Sequence, residues 1–360
     1  MQKNIFILIM LCALLFSSCE KTIDFDGEGT APMIVVNGLV VPGNPIEASV
    51  SKSQSLLAGS YYFEFLIDAK VDLYVDGEYV ETLIAEQSDE PDNPYYDTGY
   101  RKWFFKGETI AENGKTYRLE VTNDGLQAVN CETTVPEPVQ LIAVDTATEF
   151  IPVDYGTQEM LGVKIKFVDN AENNNFYRVQ IDQLNGINKD YYSGKEESSD
   201  TVLLSKQQAL YLDLFDPVFG SSTNEADEIV TGTPDNRYAL FDDGEINGEE
   251  YTVKVRLPQN YNTYQPGPSD GDSGNFYERQ IILYSLSREY YEYLRSATNH
   301  FYYADDYFSE PVPVYTNVHG GMGIFAALDS ASYSILSGTY PMEGKVYVDN
   351  YNSGGYSYGY

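Results

Sequence analysis

The reactive side chains of this 360-residue chain are few in kind: three cysteines, two histidines and 55 carboxylates set against 22 basic residues. The histidines, His300 and His319, form no HExxH motif, and no cysteine pair stands at thiolate-metal spacing. GxSxG strings occur at Gly267 to Gly271, in a Pro- and Asp-rich stretch, and at Gly355 to Gly359, in the Gly/Ser/Tyr-rich end, rather than at a strand-to-helix nucleophile elbow; a P-loop and a dinucleotide fingerprint after a strand are absent from the sequence. His319-Gly320-Gly321-Met322-Gly323 is glycine-rich but runs into IFAAL without the lysine of a phosphate loop, so it reads as a tight turn between strands. Paired carboxylates can hydrolyse glycosides, but the two acids must lie a few ångströms apart in space, which spacing across loops does not reveal. Asp242-Asp243-Gly244-Glu245 and Ser269-Asp270-Gly271-Asp272 carry oxygen ligands suited to Ca2+, without the twelve-residue EF-hand spacing. Solvated turns are their default reading and calcium the alternative. No catalytic, cofactor-binding or metal-ligating residue is assigned.

The thiols are more informative. Lys3 opens a short polar start, and Ile5 to Phe16 is an unbroken apolar run. Twelve helical residues span ~18 Å, short of the ~30 Å hydrocarbon core of a bilayer. A positive start, an apolar centre and small residues behind it mark a secretory signal. Here the small residues Ser17 and Ser18 run directly into Cys19, and Leu15-Phe16-Ser17-Ser18-Cys19 resembles a bacterial lipobox, with Phe16 where Leu is commonest. The expectation is cleavage before Cys19 and lipid attachment to its thiol, with more than one acyl chain giving stable anchoring. Cys12 then leaves with the signal and Cys19 carries lipid. Cys131 remains alone in the strand-like run VNCETTV, with no intramolecular disulfide partner. It reads as a buried, inert thiol.

The formal net charge is −33, and removing residues 1–18 takes away only Lys3. Such a charge repels phosphate backbones, which argues against nucleic-acid binding. The acids are interspersed with apolar and aromatic residues, and 42% of the chain is hydrophobic, as expected of folded domains rather than an acidic tail. Tyrosine is abundant, 33 against a single Trp. Most tyrosines read as half-buried strand residues. The pairs Tyr95-Tyr96, Tyr191-Tyr192 and Tyr302-Tyr303 sit near polar loops and are the candidates for exposed contacts.

The elements that would position these residues are mainly strands. Residues 19–30 read as an acidic tether. From 31 to 135, short alternating runs separated by turns suggest an immunoglobulin-like β-sandwich. MIVVNGLVV carries a break at Asn37-Gly38; AKVDLYVDGEYVETLIA is a hairpin turning at Asp76-Gly77; and Asn123-Asp124-Gly125 is a further turn. Pro136 and Pro138 suit a linker. Residues 139–350 are expected to form a β-rich domain. Within it, SKQQALYLDLF (205–215) suggests a short helix. A long amphipathic helix is expected near 278–300, where Ile282, Leu286, Tyr290, Tyr293, Leu294 and Ala297 recur at three- and four-residue steps. Residues 351–360 read as a mobile tail.

Several stretches resemble one family, the domain-of-unknown-function 4249 lipoproteins of the Bacteroidota. They are CEKTIDFD, PMIVVNGLV, the SKSQ segment, KFVDNAENNNFYRV, LYSLSREYYEYLRS and, most specific, EPVPVYTNVHGGMGIFAAL. The resemblance implies an outer-membrane lipoprotein, often encoded beside a TonB-dependent transporter, and carries over no catalytic residue. Glu20, Asp24 and Asp26 after Cys19 resemble the acidic signals that send such lipoproteins to the cell surface, with Lys21 and Thr22 interrupting them. The expected function is a non-enzymatic, lipid-anchored surface protein that binds a peptide or glycan ligand, or caps a transporter, in nutrient uptake. Its rivals are a carboxylate-pair glycoside hydrolase and a structural or adhesive protein with no small-molecule site.

Overall fold

Alternation of apolar and polar residues decides the local structure of the first third of the chain. In β8 (Thr116–Thr122) the buried positions are Tyr117, Leu119 and Val121; in β9 (Val129–Thr134) they are Val129, Cys131 and Thr133. This two-residue period puts every second side chain on one sheet face. The same holds for Ile46, Ala48 and Val50 in β2 (Pro45–Lys52) and for Val71 and Leu73 in β4 (Lys70–Val75). The structure, a computed structural model, describes residues 31–54, 64–88, 101–153, 156–188, 201–208, 212–222, 236–258, 276–303, 312–338 and 346–351. It is mainly β.

Two sheets face each other in the N-terminal part. One has the order β1 (Ile34–Val40), β2, β7 (Trp103–Ile110), β6 (Ile84–Gln87), with the two-residue β3 (Glu64–Phe65) also on β2. The other runs β5 (Glu78–Thr82), β4, β8, β9. Their inner faces share one core that includes Ile34, Val36, Val50, Val71, Leu119 and Cys131. The β4–β5 hairpin turns at Asp76-Gly77 as expected: Val75 pairs with Glu78, and φ is 51° and 87° at the two central residues. Both positive values define the primed turn whose twist suits a hairpin. Asn123 to Gly125 likewise turns β8 into β9, with Leu126 N donating to Asn123 O at 3.3 Å.

The remaining elements are β10 (Gln140–Val153), β11 (Gly156–Val168), β12 (Phe176–Asn188), β13 (Thr201–Gln208), β14 (Leu240–Asp242), β15 (Glu250–Pro258), β16 (Phe276–Leu286), α1 (Arg288–Tyr303), β17 (Met322–Gly338) and β18 (Val346–Tyr351). β10, β11 and β15 form a three-stranded sheet packed on one face of β12 and β16, around Ile165, Phe167, Tyr177, Val179, Val253 and Leu283. On the opposite face, α1 lays Tyr291, Tyr293 and Leu294 against Leu240, Leu286, Ile324 and Leu328.

β17 joins the halves. Residues Met322 to Ala327 pair in parallel with Val35 to Val40 of β1, and Leu328 to Gly338 pair antiparallel with β16. One sheet therefore runs β18-β13-β12-β16-β17-β1-β2-β7-β6. The proline linker at 136–138 separates β9 from β10 in sequence, yet Phe325 and Ala327 of β17 belong to the N-terminal core. Polar ties cross the same seam: Asn113 Nδ2 donates to Asp329 Oδ2 at 2.7 Å, and Thr133 Oγ1 donates to Glu289 Oε2 at 3.1 Å.

Three local expectations are corrected. The helix begins at Arg288, not near Glu278; residues 276–286 are strand. Ile281 and Leu283 face one core while Ile282 and Leu286 face the other. A strand buried on both faces has no alternation to separate it from a helix. Ser287 marks the true start: its Oγ accepts Tyr290 N at 3.3 Å as an N-cap. Ser205 to Gln208 lie in β13 rather than a helix, because pairing with β12 outweighs their helix propensity. Asn37-Gly38 does not break β1. A Cβ at Gly38 would meet Glu47 O and Phe325 Cδ2 at 2.9 Å each, so glycine is there for close approach. His319 to Gly321 do form the expected turn, entering β17 with φ 84° at Gly320.

Candidate functional site

β12 alternates in the ordinary way: Tyr177, Val179 and Ile181 fill the core toward β11 and β15. The intervening positions face α1, and one of them is an arginine. Arg178 is paired directly with Tyr284 of β16 on one side and with Leu240 of β14 on the other. Tyr238 arrives through a braced turn. Asn236 Oδ1 accepts Leu240 N at 2.9 Å, its Nδ2 donates to Leu240 O at 2.8 Å, and Ala239 N donates to Asn236 O at 3.0 Å. Ala239 is held at φ 50°, a left-handed conformation that costs an L-residue roughly 1–2 kcal/mol. Such strain persists where surrounding contacts over-determine it.

The Arg178 guanidinium carbon lies 5.4 Å from the Tyr238 ring centroid and 5.7 Å from that of Tyr284. Tyr290 of α1 completes the surround; burial raises its phenol above the ordinary value of 10.0, and the charge of Arg178 opposes that shift. Phe176 stacks on Tyr291 with centroids 4.6 Å apart, fixing α1 over β12. Burial pushes the Tyr291 and Tyr293 phenols up to about 12, so both stay protonated at neutral pH.

The charge balance at Arg178 is unusual. Arg256 has Glu149 at 2.6 Å and Asp213 at 3.3 Å, and Arg118 has Glu120 at 2.7 Å. Arg178 is half-buried, its Nε is fully buried without a hydrogen-bond partner, and among the described residues no carboxylate forms an ion pair with it. Cation–π contacts supply ~0.5–2 kcal/mol, while withdrawing an ion from water costs several kcal/mol even after relaxation. The tyrosine rings alone do not compensate the charge. An anion delivered to this face would.

Three buried carboxylates, Asp169, Asp216 and Asp243, are bonded within the fold. Asp169 directly follows β11; its Oδ1 accepts the Tyr177 hydroxyl at 2.5 Å and its Oδ2 accepts Gly248 N at 2.7 Å. Asp243 accepts Asn175 N at 2.7 Å, and burial, with Asp169 nearby, raises its carboxyl above the ordinary 3.8. Asp216 accepts the Tyr251 hydroxyl at 2.5 Å and Lys254 N at 3.0 Å. These carboxylates brace turns. In the Asp242–Glu245 loop, Asp242 Oδ1 accepts Gly244 N at 3.0 Å, and among the described residues no group of three or more His, Cys, Asp or Glu is arranged to hold a metal ion. Cys131 is fully buried and its thiol is pushed up to about 12, chiefly by burial. His300 Nδ1 lies 2.7 Å from Val312 O, and His319 pairs its backbone with Asn130. Tyr302 is exposed and meets Tyr303 edge-on at 5.1 Å. Cys19, the 19–30 tether, Tyr95-Tyr96, Tyr191-Tyr192 and Ser269 to Asp272 lie outside the described residues.

Sequence reasoning missed Arg178, although it sits in the segment KFVDNAENNNFYRV. Its only signal was a basic residue among aromatics in an acid-rich chain. The register that puts Tyr284 and Tyr238 beside it joins segments far apart in sequence. Comparison with curated proteins finds no match. The family model described as "Domain of unknown function (DUF4249)" matches residues 20–334, from the tether to within β17. The chain belongs to the DUF4249 family.

Proposed function

We propose that this protein is an outer-membrane lipoprotein, held by lipid on Cys19 and facing the cell exterior, that captures a ligand or caps a TonB-dependent transporter in nutrient uptake. The observation that carries the anchor is the run from Lys3 through the apolar segment to Ser17-Ser18-Cys19, directly ahead of a strongly acidic body. Among the described residues no helix is long and apolar enough to cross a membrane, and the first described strand follows the 19–30 tether closely. The Arg178 face, walled by Tyr238, Tyr284 and Tyr290, supports ligand capture over a purely adhesive role. The N-terminal sheets support an immunoglobulin-like module: the orders β1-β2-β7-β6 and β5-β4-β8-β9 correspond to A-B-E-D against C′-C-F-G. The glycoside-hydrolase alternative draws no support from Asp169 and Asp243, whose oxygens accept hydrogen bonds from Tyr177, Gly248 and Asn175 within the fold.

Labelled palmitate should enter the wild-type protein and not Cys19→Ser, and the variant should move from the membrane to the soluble fraction. Retention of the variant on membranes, with no label in the wild type, would overturn the anchor. Gentle detergent extraction should bring down a large β-barrel partner. A lipoprotein that always runs alone would overturn the transporter cap while leaving the anchor intact.

A further inference from the structure

We infer that the face of β12 under α1 is a binding site for an organic carboxylate, with Arg178 as its charge-reading residue and Tyr238, Tyr284 and Tyr290 as its walls. This deepens the ligand-capture reading and rests on it for its purpose, but it concerns neither the lipid nor a transporter.

Three independent observations converge on the site. First, in a chain with 55 acids the half-buried Arg178 has no carboxylate partner among the described residues, and its Nε is buried without an acceptor. Arg118 and Arg256, also half-buried, each hold one or two. Second, the rings that approach Arg178 do so at 5.4 and 5.7 Å, in cation–π contact that orients the guanidinium without using its N–H donors. Third, Tyr238 is delivered to this position by a turn whose Ala239 is held at φ 50°, with Asn236 bonded to both backbone groups of Leu240. The strained turn serves to set Tyr238 in place beside the arginine.

The chemistry of these groups narrows the ligand. A guanidinium presents parallel donors that match the two oxygens of a carboxylate. The tyrosine walls offer apolar faces, which suit a flat or apolar body attached to that carboxylate better than a small hydrated ion. The high negative charge of the rest of the protein disfavours polyanions, which would be repelled before reaching one cation. A monocarboxylate with an apolar body meets all three conditions.

The test is calorimetric titration of the full-length protein in detergent with benzoate, its neutral isostere benzamide, and inorganic phosphate. Benzoate should bind saturably, and benzamide should not. Arg178→Met should weaken benzoate by about tenfold or more, and Arg178→Lys, a point charge without the fork, should fall between them. Thermal unfolding of each variant checks that it folds. Should Arg178→Met fail to fold, Tyr238→Ala provides the second reading: it should weaken benzoate while leaving any weak phosphate response unchanged. Absence of saturable benzoate binding, equal binding of benzamide, or unaltered affinity in Arg178→Met or in Tyr238→Ala would overturn the proposal. Phosphate binding as tightly as benzoate would overturn the assignment to organic carboxylates. None of these results bears on palmitate labelling at Cys19 or on co-purification, so the two readings fail separately.

Discussion

Asn317 spends its whole amide on backbone. Its Nδ2 donates to Phe325 O at 2.7 Å and to Glu132 O at 2.9 Å, and its Oδ1 accepts Phe325 N at 3.0 Å. A single side chain thereby acts as a strand partner for β17 and ties it to β9. Asn317→Ala leaves buried N–H and C=O groups unpaired, at ~1–3 kcal/mol for each group; urea unfolding should show a loss of about 3 kcal/mol. Cys131 is a second residue-scale test. With its thiol pushed up to about 12 by burial, hardly any thiolate forms below pH 9, so peptide mapping should show alkylation of Cys131 only after unfolding. Asp243 supplies a pH test. Its folded-state pKa is raised, so the native state holds the proton more readily than the unfolded chain. Stability therefore falls as pH rises from the ordinary 3.8 through the raised value. Asp243→Asn should flatten that part of the stability–pH curve, measured as denaturation midpoints between pH 3 and 7.

At the scale of elements, α1 depends on its first residues. Ser287 Oγ accepts Tyr290 N at 3.3 Å and Ala327 N at 3.1 Å, so one hydroxyl both caps the helix and binds it to β17. Glu289, in the first turn, favours the helix dipole and accepts the Thr133 hydroxyl. Ser287→Ala should cost ~1–2 kcal/mol, read as a lower thermal midpoint. Since Tyr290 is carried by that same turn, benzoate affinity should weaken with it. SREYYEYL carries an N-cap signal, a serine ahead of a periodic run, yet the expected helix start lay near 278. The signal was obscured by Ile281-Ile282-Leu283, which extends an apolar pattern backward through a strand that is buried on both faces.

On the scale of the whole molecule, β17 makes the halves interdependent. Its first six residues pair with β1, and Phe325 and Ala327 sit in the core shared by β2, β4 and β8. Without β17, one edge of β1 and part of that core lie open. A fragment ending at residue 138 should accordingly show no cooperative unfolding transition by circular dichroism, while the full chain shows one. A fragment as stable as the intact protein would contradict this coupling. A negatively charged body of this kind also repels polyanions.

Much of the architecture was written locally. Alternation in β2, β4, β8 and β9, and turn chemistry at Asp76-Gly77 and Asn123 to Gly125, needed no tertiary information, because side-chain period and backbone φ are properties of a few adjacent residues. The acidic charge is likewise a property of composition alone. What only the tertiary structure decided was partnership. Gly38 looked like a break until Phe325 lay against it, 325 and 38 being far apart in sequence. Arg178 looked like one more strand residue until Tyr238 and Tyr284 came to flank it. Partners of this kind meet through register across a sheet, and register depends on which long-range faces bury together, a quantity no window along the chain contains.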